Sequence, residues 1–422
     1  MKILLESSPL ATSRADLQTE KKIATAAWQA LLARSDLGFL RIADRSRLWE
    51  QSEVMGQELR REFRHLVVVG LGGSSMGARL FKDVFSETNS SHHLHICDNV
   101  DPFATERLAR ALPLRETAWV IVSKSGKTIE TVVLTEWLQD LLENNNLLVS
   151  HHVRLVTELE GAGTTKNSLL QWAKKMNVKS ADLPEDIGGR FSVLTPVGLV
   201  PAVFMGCRLE DLRSGVQKAL QNQELVTSIA AHSLKSFSDG KSITLFWSYS
   251  SLLREFGGWL SQLWAESLGK SKDRAGQPAP RVSTPITAVG ACDQHSIFQQ
   301  VMDGAHDKFV IFQRVHQIET HPWRIRNPQV PGFEFLKGHG LGQLLGVEAQ
   351  ATALALTEVG VPNLTLELPD LSAQTVGQLL MFWQLVVGVL GEALNINAFD
   401  QPGVELGKKL ANELLRKTND SN

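Results

Sequence analysis

Tyrosine and cysteine are scarce in this chain: one Tyr and three Cys in 422 residues. Cys97, Cys207 and Cys292 are odd in number, far apart and without a C-x-x-C pair. That excludes a disulfide framework and makes a reducing, cytoplasmic compartment the expectation. An excess of charge of one sign is also missing. The 43 Lys and Arg are interspersed with 45 Asp and Glu, for a net charge of -2 and a pI near 6.6. No basic tail or stripe is left to hold nucleic acid or a membrane surface. Long hydrophobic runs are few: the most apolar segment, residues 379–394, is interrupted by Gln384 and Glu392. It falls short of the roughly 18 to 20 apolar residues a membrane span needs. The N-terminus, MKILLESSPL, offers one Lys and a short apolar patch before Glu6, too little for a secretory signal. There is no short-period repeat, no low-complexity linker and no H-E-x-x-H among the twelve histidines. HHLH (92–95) falls on a predicted strand, where alternation splits its side chains between faces, so no metal site is expected.

What is present is a chain long enough for two ordinary domains, in which short apolar runs alternate with longer amphipathic ones. This is the pattern of βαβ units around parallel sheets. It predicts strands at 65–70, 93–98, 119–123 and 153–157, with helices near 76–86, 103–111 and 128–143. After an irregular segment limited by Pro196 and Pro201, it predicts strands at 242–248, 283–289, 308–313 and 363–368. Helices are predicted over 252–268, 341–358, 372–394 and 404–417. The fold class is α/β, with two doubly wound, flavodoxin-like units and terminal helices.

The first predicted strand runs into GLGGSSMG (70–77). A dinucleotide fingerprint, G-x-G-x-x-G, fits Gly70 and Gly72 but meets Ser75 at its third position; Asp98 is the acid that would hold a ribose. A Walker loop fits Gly72 and Gly77 but meets Ala78 and Arg79 in place of Lys and Ser/Thr. The shared physics is broader than either motif: a strand ending in glycines lets backbone N–H groups approach an anion, and the following helix adds its positive dipole end. A ligand-free turn has the same local pattern. A second loop, SKSGKTIET (123–131), adds hydroxyls from Ser123, Ser125 and Thr128 and charge from Lys124 and Lys127. In a parallel sheet both loops emerge on one edge, where such sheets bind ligands. The pair therefore points to one phosphate monoester, with Ser74 a donor in the first loop.

These loops and four further segments, in order, resemble the glucose-6-phosphate isomerase family of sugar-isomerase domains. The further segments are GGRFSVLTPVGL (188–199), QLWAESLGK (262–270), DQHS (293–296) and FDQPGVELGK (399–408). The resemblance implies aldose–ketose isomerisation of glucose 6-phosphate and fructose 6-phosphate, with no cofactor. It implies Glu266 as the base moving a proton between C1 and C2, and Arg190 as the fixed positive partner of a cis-enediolate. It implies His295 and Lys408 as ring-opening groups, and Gly73, Gln262 and Gln401 as substrate neighbours. Phosphate would fall to Ser74, Ser123, Lys124, Ser125 and Thr128. On the same basis the chain divides into residues 1–45, a helical segment; 46–205, the unit with the phosphate loops; 206–396, the second unit; and 397–422, the helix with Lys408. A homodimer is implied, His295 acting in the partner's site. Three positions depart from the family pattern: Leu268 for a common asparagine, Cys292 for a usual threonine, and Pro402 for a tryptophan. None removes a proton-transfer group.

Taken one by one, the same residues have ordinary alternatives. Glu266 suits a surface glutamate, Arg190 a partner of Asp186, and Lys408 a solvated helix face. His92, His93, His151 and His152 read as structural. A non-catalytic phosphosugar sensor fits the two loops equally well, and a nicotinamide dehydrogenase fits the first alone. Only an enzyme uses Glu266, Arg190, His295 and Lys408 together. Use of mannose 6-phosphate as a second substrate stays open.

Overall fold

The computed structural model describes residues 1–4, 17–85, 91–159, 161 and 166–419. Within them, ten strands form two five-stranded sheets. In chain order these are β1 (Lys2–Leu4), β2 (His65–Val69), β3 (His93–Cys97), β4 (Thr117–Val122), β5 (Val153–Thr157) and β6 (Lys179–Asp182), then β7 (Ile243–Tyr249), β8 (Thr284–Val289), β9 (Lys308–Val315) and β10 (Asn363–Leu368).

The first sheet is parallel throughout, in the order β3-β2-β4-β5-β6. Its central strands are buried on both faces: Leu66 to Val69 in β2 and all of β4, as continuous apolar strands require. The strand order reverses between β2 and β4, so the two predicted phosphate loops leave neighbouring strands at the switch point, where open α/β sheets bind ligands. The second sheet, β1-β10-β9-β7-β8, repeats the pattern with one exception. Its edge strand β1 runs antiparallel to β10, pairing Lys2 with Glu367 and Leu4 with Thr365. The sequence predicts no strand there, because three residues carry no measurable period. β6, with its sequence KSAD, goes unpredicted for the same reason.

One apolar core runs across both units. The helices Met76–Phe85 and Arg254–Leu268 pack together across the junction, and beside them, within the first unit, the short turns Gly72–Ser74 and Gly189–Leu194 meet. The helix Gln18–Leu32 lies against Gln223–Ser238 and Ala373–Ala393. Ala373–Ala393 is longer than the apolar run read from the sequence, and its length and composition would suffice for a membrane crossing. Of its most apolar window, 83% is buried inside the protein. Gln384, fully buried, donates its amide to the Phe191 carbonyl at 3.0 Å. A polar group that would be costly in lipid thus ties the core helix to the segment bearing Arg190.

Candidate active site

Arg190 is the hub of the junction. It sits in the turn Gly189–Leu194 with its side chain 1% exposed, and burial lowers its pKa, partly offset by the nearby Glu266 carboxylate. Such a charge is tolerable only when its donors are filled. Nε donates to Ser267 Oγ at 2.7 Å, and Nη1 to Glu266 Oε2 at 3.3 Å and Gln401 Oε1 at 3.1 Å. Nη2 donates to the carbonyls of Ala398 at 2.5 Å and Asp400 at 2.9 Å. One guanidinium therefore joins three pieces of chain: its own turn, the last turn of Arg254–Leu268, and residues 398–401. Asp186, the alternative partner weighed for it, is engaged elsewhere, with Arg45 Nη1 at 2.9 Å from its carboxylate.

Glu266 occupies the last turn of the helix Arg254–Leu268, its side chain 32% exposed. One carboxylate oxygen faces Arg190; the other accepts from Gln262 Nε2 at 3.0 Å, one helical turn back. Gln262 is held in turn against the first glycine loop, since a Cβ placed on Gly72 would lie 3.0 Å from its Nε2. The carboxylate is therefore oriented on both sides yet reaches solvent, the condition of a base that must meet a ligand.

The glycine loop packs directly on the Arg190 turn. A Cβ on Gly73 would stand 2.3 Å from the Gly189 carbonyl oxygen and 2.9 Å from the Arg190 nitrogen. Only glycine permits that approach, which brings the first loop and the guanidinium segment into backbone contact. Ser74 follows, partly exposed at the end of the short turn. Ser75 turns inward, fully buried, with its hydroxyl 3.3 Å from Asp98 Oδ2. Asp98, the acid a dinucleotide reading would assign to ribose, is paired with Arg79 at 2.6 Å. The acid that the nucleotide reading needs is thus engaged within the protein.

In the second loop, Gly126 takes φ +61, and a Cβ there would lie 1.6 Å from Asn167 Oδ1. Asn167 locks the loop: its amide donates to Thr157 Oγ1 at 2.8 Å while its carbonyl accepts from Leu170 N at 2.9 Å. The Thr157 hydroxyl donates to the Ser123 carbonyl at 2.6 Å. Ser123 is buried and donates its hydroxyl to Thr128 Oγ1 at 3.3 Å; Ser125 Oγ accepts from Lys127 N at 3.3 Å. Lys124 is turned away from the loop mouth. Its ammonium donates to the carbonyls of Glu185 at 2.7 Å and Ile187 at 3.0 Å, tying this loop to the approach to Arg190. Burial lowers its pKa, against the raising effect of Glu158, Glu185 and Asp186.

With this geometry in place, comparison with known proteins is decisive. Residues 48–329 and 343–422 match the model of the phosphoglucose isomerase family. The chain belongs to the phosphoglucose isomerase family. It is 32% identical to glucose-6-phosphate isomerase of Carboxydothermus hydrogenoformans, over 95% of this chain and 90% of that one. It is 35% identical to the enzyme of Thermus thermophilus over 83% of each chain. A crystal structure of the hypothetical protein TT0462 from Thermus thermophilus superposes with a TM-score of 0.87 at 31% identity, covering 98% of this chain and 99% of that one. Glucose-6-phosphate isomerase from Chlamydia trachomatis shares the fold at a TM-score of 0.80 and 24% identity, over 96% and 85% of the two chains.

Two residues read as catalytic stand apart from the cluster. His295 ends the turn Cys292–His295 after β8, exposed, its side chain without a hydrogen bond or ion pair among the described residues. Its neighbours pin that turn: Asp293 Oδ2 accepts from Val289 N at 2.7 Å, and Gln294 Nε2 donates to the hydroxyl of Tyr249, the chain's one tyrosine, at 2.9 Å. Lys408 lies on the terminal helix Glu405–Asn419, 58% exposed and paired with Glu405 at 2.9 Å. The family departures fall outside the Arg190–Glu266 pair. Leu268 is buried in the core, Pro402 is exposed, and Cys292 donates its thiol to the Val289 carbonyl. A separate cavity of about 770 Å³ at the carboxyl edge of the second sheet, between Ser250, Gln317, His321 and Asp370, contains none of the predicted site residues. Sequence reasoning gave no role to Ser267, Lys270, Asp400 and Asn167; Ser267 and Lys270 stood within the quoted QLWAESLGK segment, but Arg190 and Asp400, which they meet, lie more than 75 residues away from them.

Proposed function

We propose that the chain interconverts glucose 6-phosphate and fructose 6-phosphate, opening the sugar ring and passing a proton between C1 and C2 through a cis-enediolate. The observation that carries the reading is the Arg190–Glu266 pair at 3.3 Å: a carboxylate open to solvent beside a buried, fully bonded cation. The carboxylate takes the proton, and the guanidinium, which does not lose its charge, balances the negative oxygen left behind. Gln262 orients the base, and Gln401 meets the guanidinium beside it. The hydroxyls of Ser74, Ser123, Ser125 and Thr128, with the backbone of Gly73, take the phosphate; Lys124 contributes charge from behind the loop. No cofactor enters the scheme.

The test is an isomerase assay coupled to a downstream dehydrogenase, with Glu266→Gln beside the unsubstituted chain. Loss of general-base catalysis costs about 10²- to 10⁴-fold in turnover, while affinity for the sugar phosphate persists. Retained turnover in Glu266→Gln excludes Glu266 as the base. Running mannose 6-phosphate in parallel settles the breadth of substrate.

The working unit on this reading is a homodimer, in which His295 completes the partner's site. Two features support it: His295 faces outward on a pinned turn, and Leu406, Leu410 and Leu414 line an exposed stripe of the terminal helix at four-residue spacing. Residues 46–205 then serve as the phosphate-gripping unit, 206–396 as the second unit and 397–422 as the carrier of Lys408. A cytoplasmic location fits the three free thiols. Mixing Glu266→Gln with His295→Ala tests the shared site. Random exchange makes half the dimers mixed, each with one intact site, so about a quarter of full activity returns. No recovery places His295 in its own chain's site.

A further inference from the structure

Lys270 follows the base by four residues, just beyond the helix end, and none of the roles above falls to it. The last carbonyls of a helix lack intrahelical partners. Here Gly269 N donates to the Ala265 carbonyl at 3.0 Å, and Lys270 N to the Leu268 carbonyl at 2.8 Å. The Glu266 carbonyl is left for a side chain. Lys270 folds back and donates its Nζ to it at 2.8 Å, a capping bond in which a cation also meets the negative end of the helix dipole. The same ammonium donates to the Asp400 carbonyl at 2.6 Å and lies 3.1 Å from Asp400 Oδ1. Its three protons thus have three acceptors, with the side chain 7% exposed. None is left over for a ligand.

The Asp400 carbonyl is shared, since Arg190 Nη2 donates to it at 2.9 Å. Residue 401, next along the chain, gives the amide oxygen that meets Arg190 Nη1. Lys270 therefore grips the backbone of the proposed base with one bond and the backbone beside Gln401 with another. Arg190 joins the same two segments, through the side chains of Glu266 and Ser267 on one side and the Ala398 and Asp400 carbonyls with the Gln401 amide oxygen on the other. We infer that Lys270 is a positioning residue, which fixes the Glu266 backbone against residues 398–401 and so sets the carboxylate's place relative to Arg190. The inference rests on the reading of Glu266 as base. It assigns Lys270 no contact with substrate.

Lys270→Met keeps most of the aliphatic stem and removes all three donors. A misplacement of about 1 Å near reacting groups costs up to about 10²-fold. The expected result is therefore a fall in kcat of about 10- to 100-fold, with KM for fructose 6-phosphate within about threefold of its starting value. Lys270→Arg, which can still cap the helix and meet Asp400, should recover a substantial part of kcat. The discriminating measurement is the double variant Lys270→Met with Glu266→Gln. If Lys270 works through Glu266, the double variant is no slower than Glu266→Gln alone. Multiplicative losses in the double variant overturn the inference, as does a KM rise of tenfold or more with kcat unchanged. Glu266→Gln with full turnover removes the base assignment itself, an outcome distinct from either. Should Lys270→Met fail to fold, Asp400→Asn takes its place: it keeps both carbonyl bonds, removes the charge of the ion pair, and otherwise touches only the exposed bond that Asn397 Nδ2 donates to Asp400 Oδ2 at 2.8 Å. A kcat loss of about two- to fivefold at constant KM supports the clamp, and an unchanged kcat overturns it.

Discussion

Replacing Arg190 with lysine keeps the positive charge and tests whether its five-way bonding holds the junction together. The guanidinium presents five N–H donors in a fixed fork, and the structure gives each an acceptor: Ser267 Oγ, Glu266 Oε2, Gln401 Oε1 and the carbonyls of Ala398 and Asp400. A lysine has three donors on one atom, so at least two acceptors lose their partner. The Asp400 carbonyl keeps Lys270. The Ala398 carbonyl, in a residue fully buried, and the Ser267 hydroxyl, likewise buried, have no replacement. A buried polar group left without a partner costs about 1–3 kcal/mol, so Arg190→Lys should destabilise the chain by ~3 kcal/mol. Unfolding entropy near 2.1 cal/mol/K per residue gives ~0.9 kcal/mol/K for a chain of this length, which converts the loss to a Tm lower by about 3 °C. Activity should fall further than stability implies, by about 10²-fold or more, because the charge no longer sits beside the Glu266 carboxylate in a fixed place. Differential scanning calorimetry and the coupled isomerase assay measure the two. A Tm within about half a degree of the starting value, with turnover retained, would refute the argument that these five bonds organise the site.

Other perturbations test separate parts of the structure. Gly73→Ala places a methyl 2.3 Å from the Gly189 oxygen, and should separate the glycine loop from the Arg190 turn, raising KM for the sugar phosphate at least tenfold in steady-state assays. His95 is packed against His65, with ring nitrogens 3.1 Å apart, and burial pushes its pKa from 6.5 down to about 4, helped by the neighbouring His65. The unfolded chain binds this proton from pH 6.5 downward and the folded chain does not, so stability is full above pH 6.5 and falls toward pH 4. After allowance for solvent screening the loss is ~1–2 kcal/mol; urea titrations should show it, and His95→Gln should flatten the slope. Of the three thiols only Cys292 is exposed; Cys97 and Cys207 are buried, their pKa values pushed up to about 11 and about 12. A colorimetric thiol reagent should therefore count one rapid equivalent per native chain and three after denaturation.

Much of the fold was legible because parallel strands and their covering helices write their burial as local periodicity. β2, β3, β5 and β10 match the predicted runs to within a residue at either end, and Leu341–Glu358 matches without change. β1 and β6 did not show themselves: three or four residues hold no period, and β1 finds its partner β10 more than 350 positions away. The two loop sequences likewise pointed to the phosphate grip proposed above, since glycine-rich strand ends followed by helices are a local arrangement. They did not reveal that Lys124 would spend its donors on carbonyls of residues 185 and 187, or that Arg79 would occupy Asp98.

The sequence by itself determined the alternation that builds two parallel sheets, the loops that meet at one sheet edge, and the residue types from which an isomerase site is made. Only the tertiary structure decided that Arg190 joins Glu266 rather than Asp186, that Gln262 and Gln401 flank the pair, and that Lys270 closes the helix end beneath Glu266. The reason is physical. Periodicity and turn chemistry act between residues a few positions apart, so a sequence displays them directly. The bonds that seat a buried charge run between segments brought together by the core, and which acceptor lies within about 3 Å of which donor is set by packing alone.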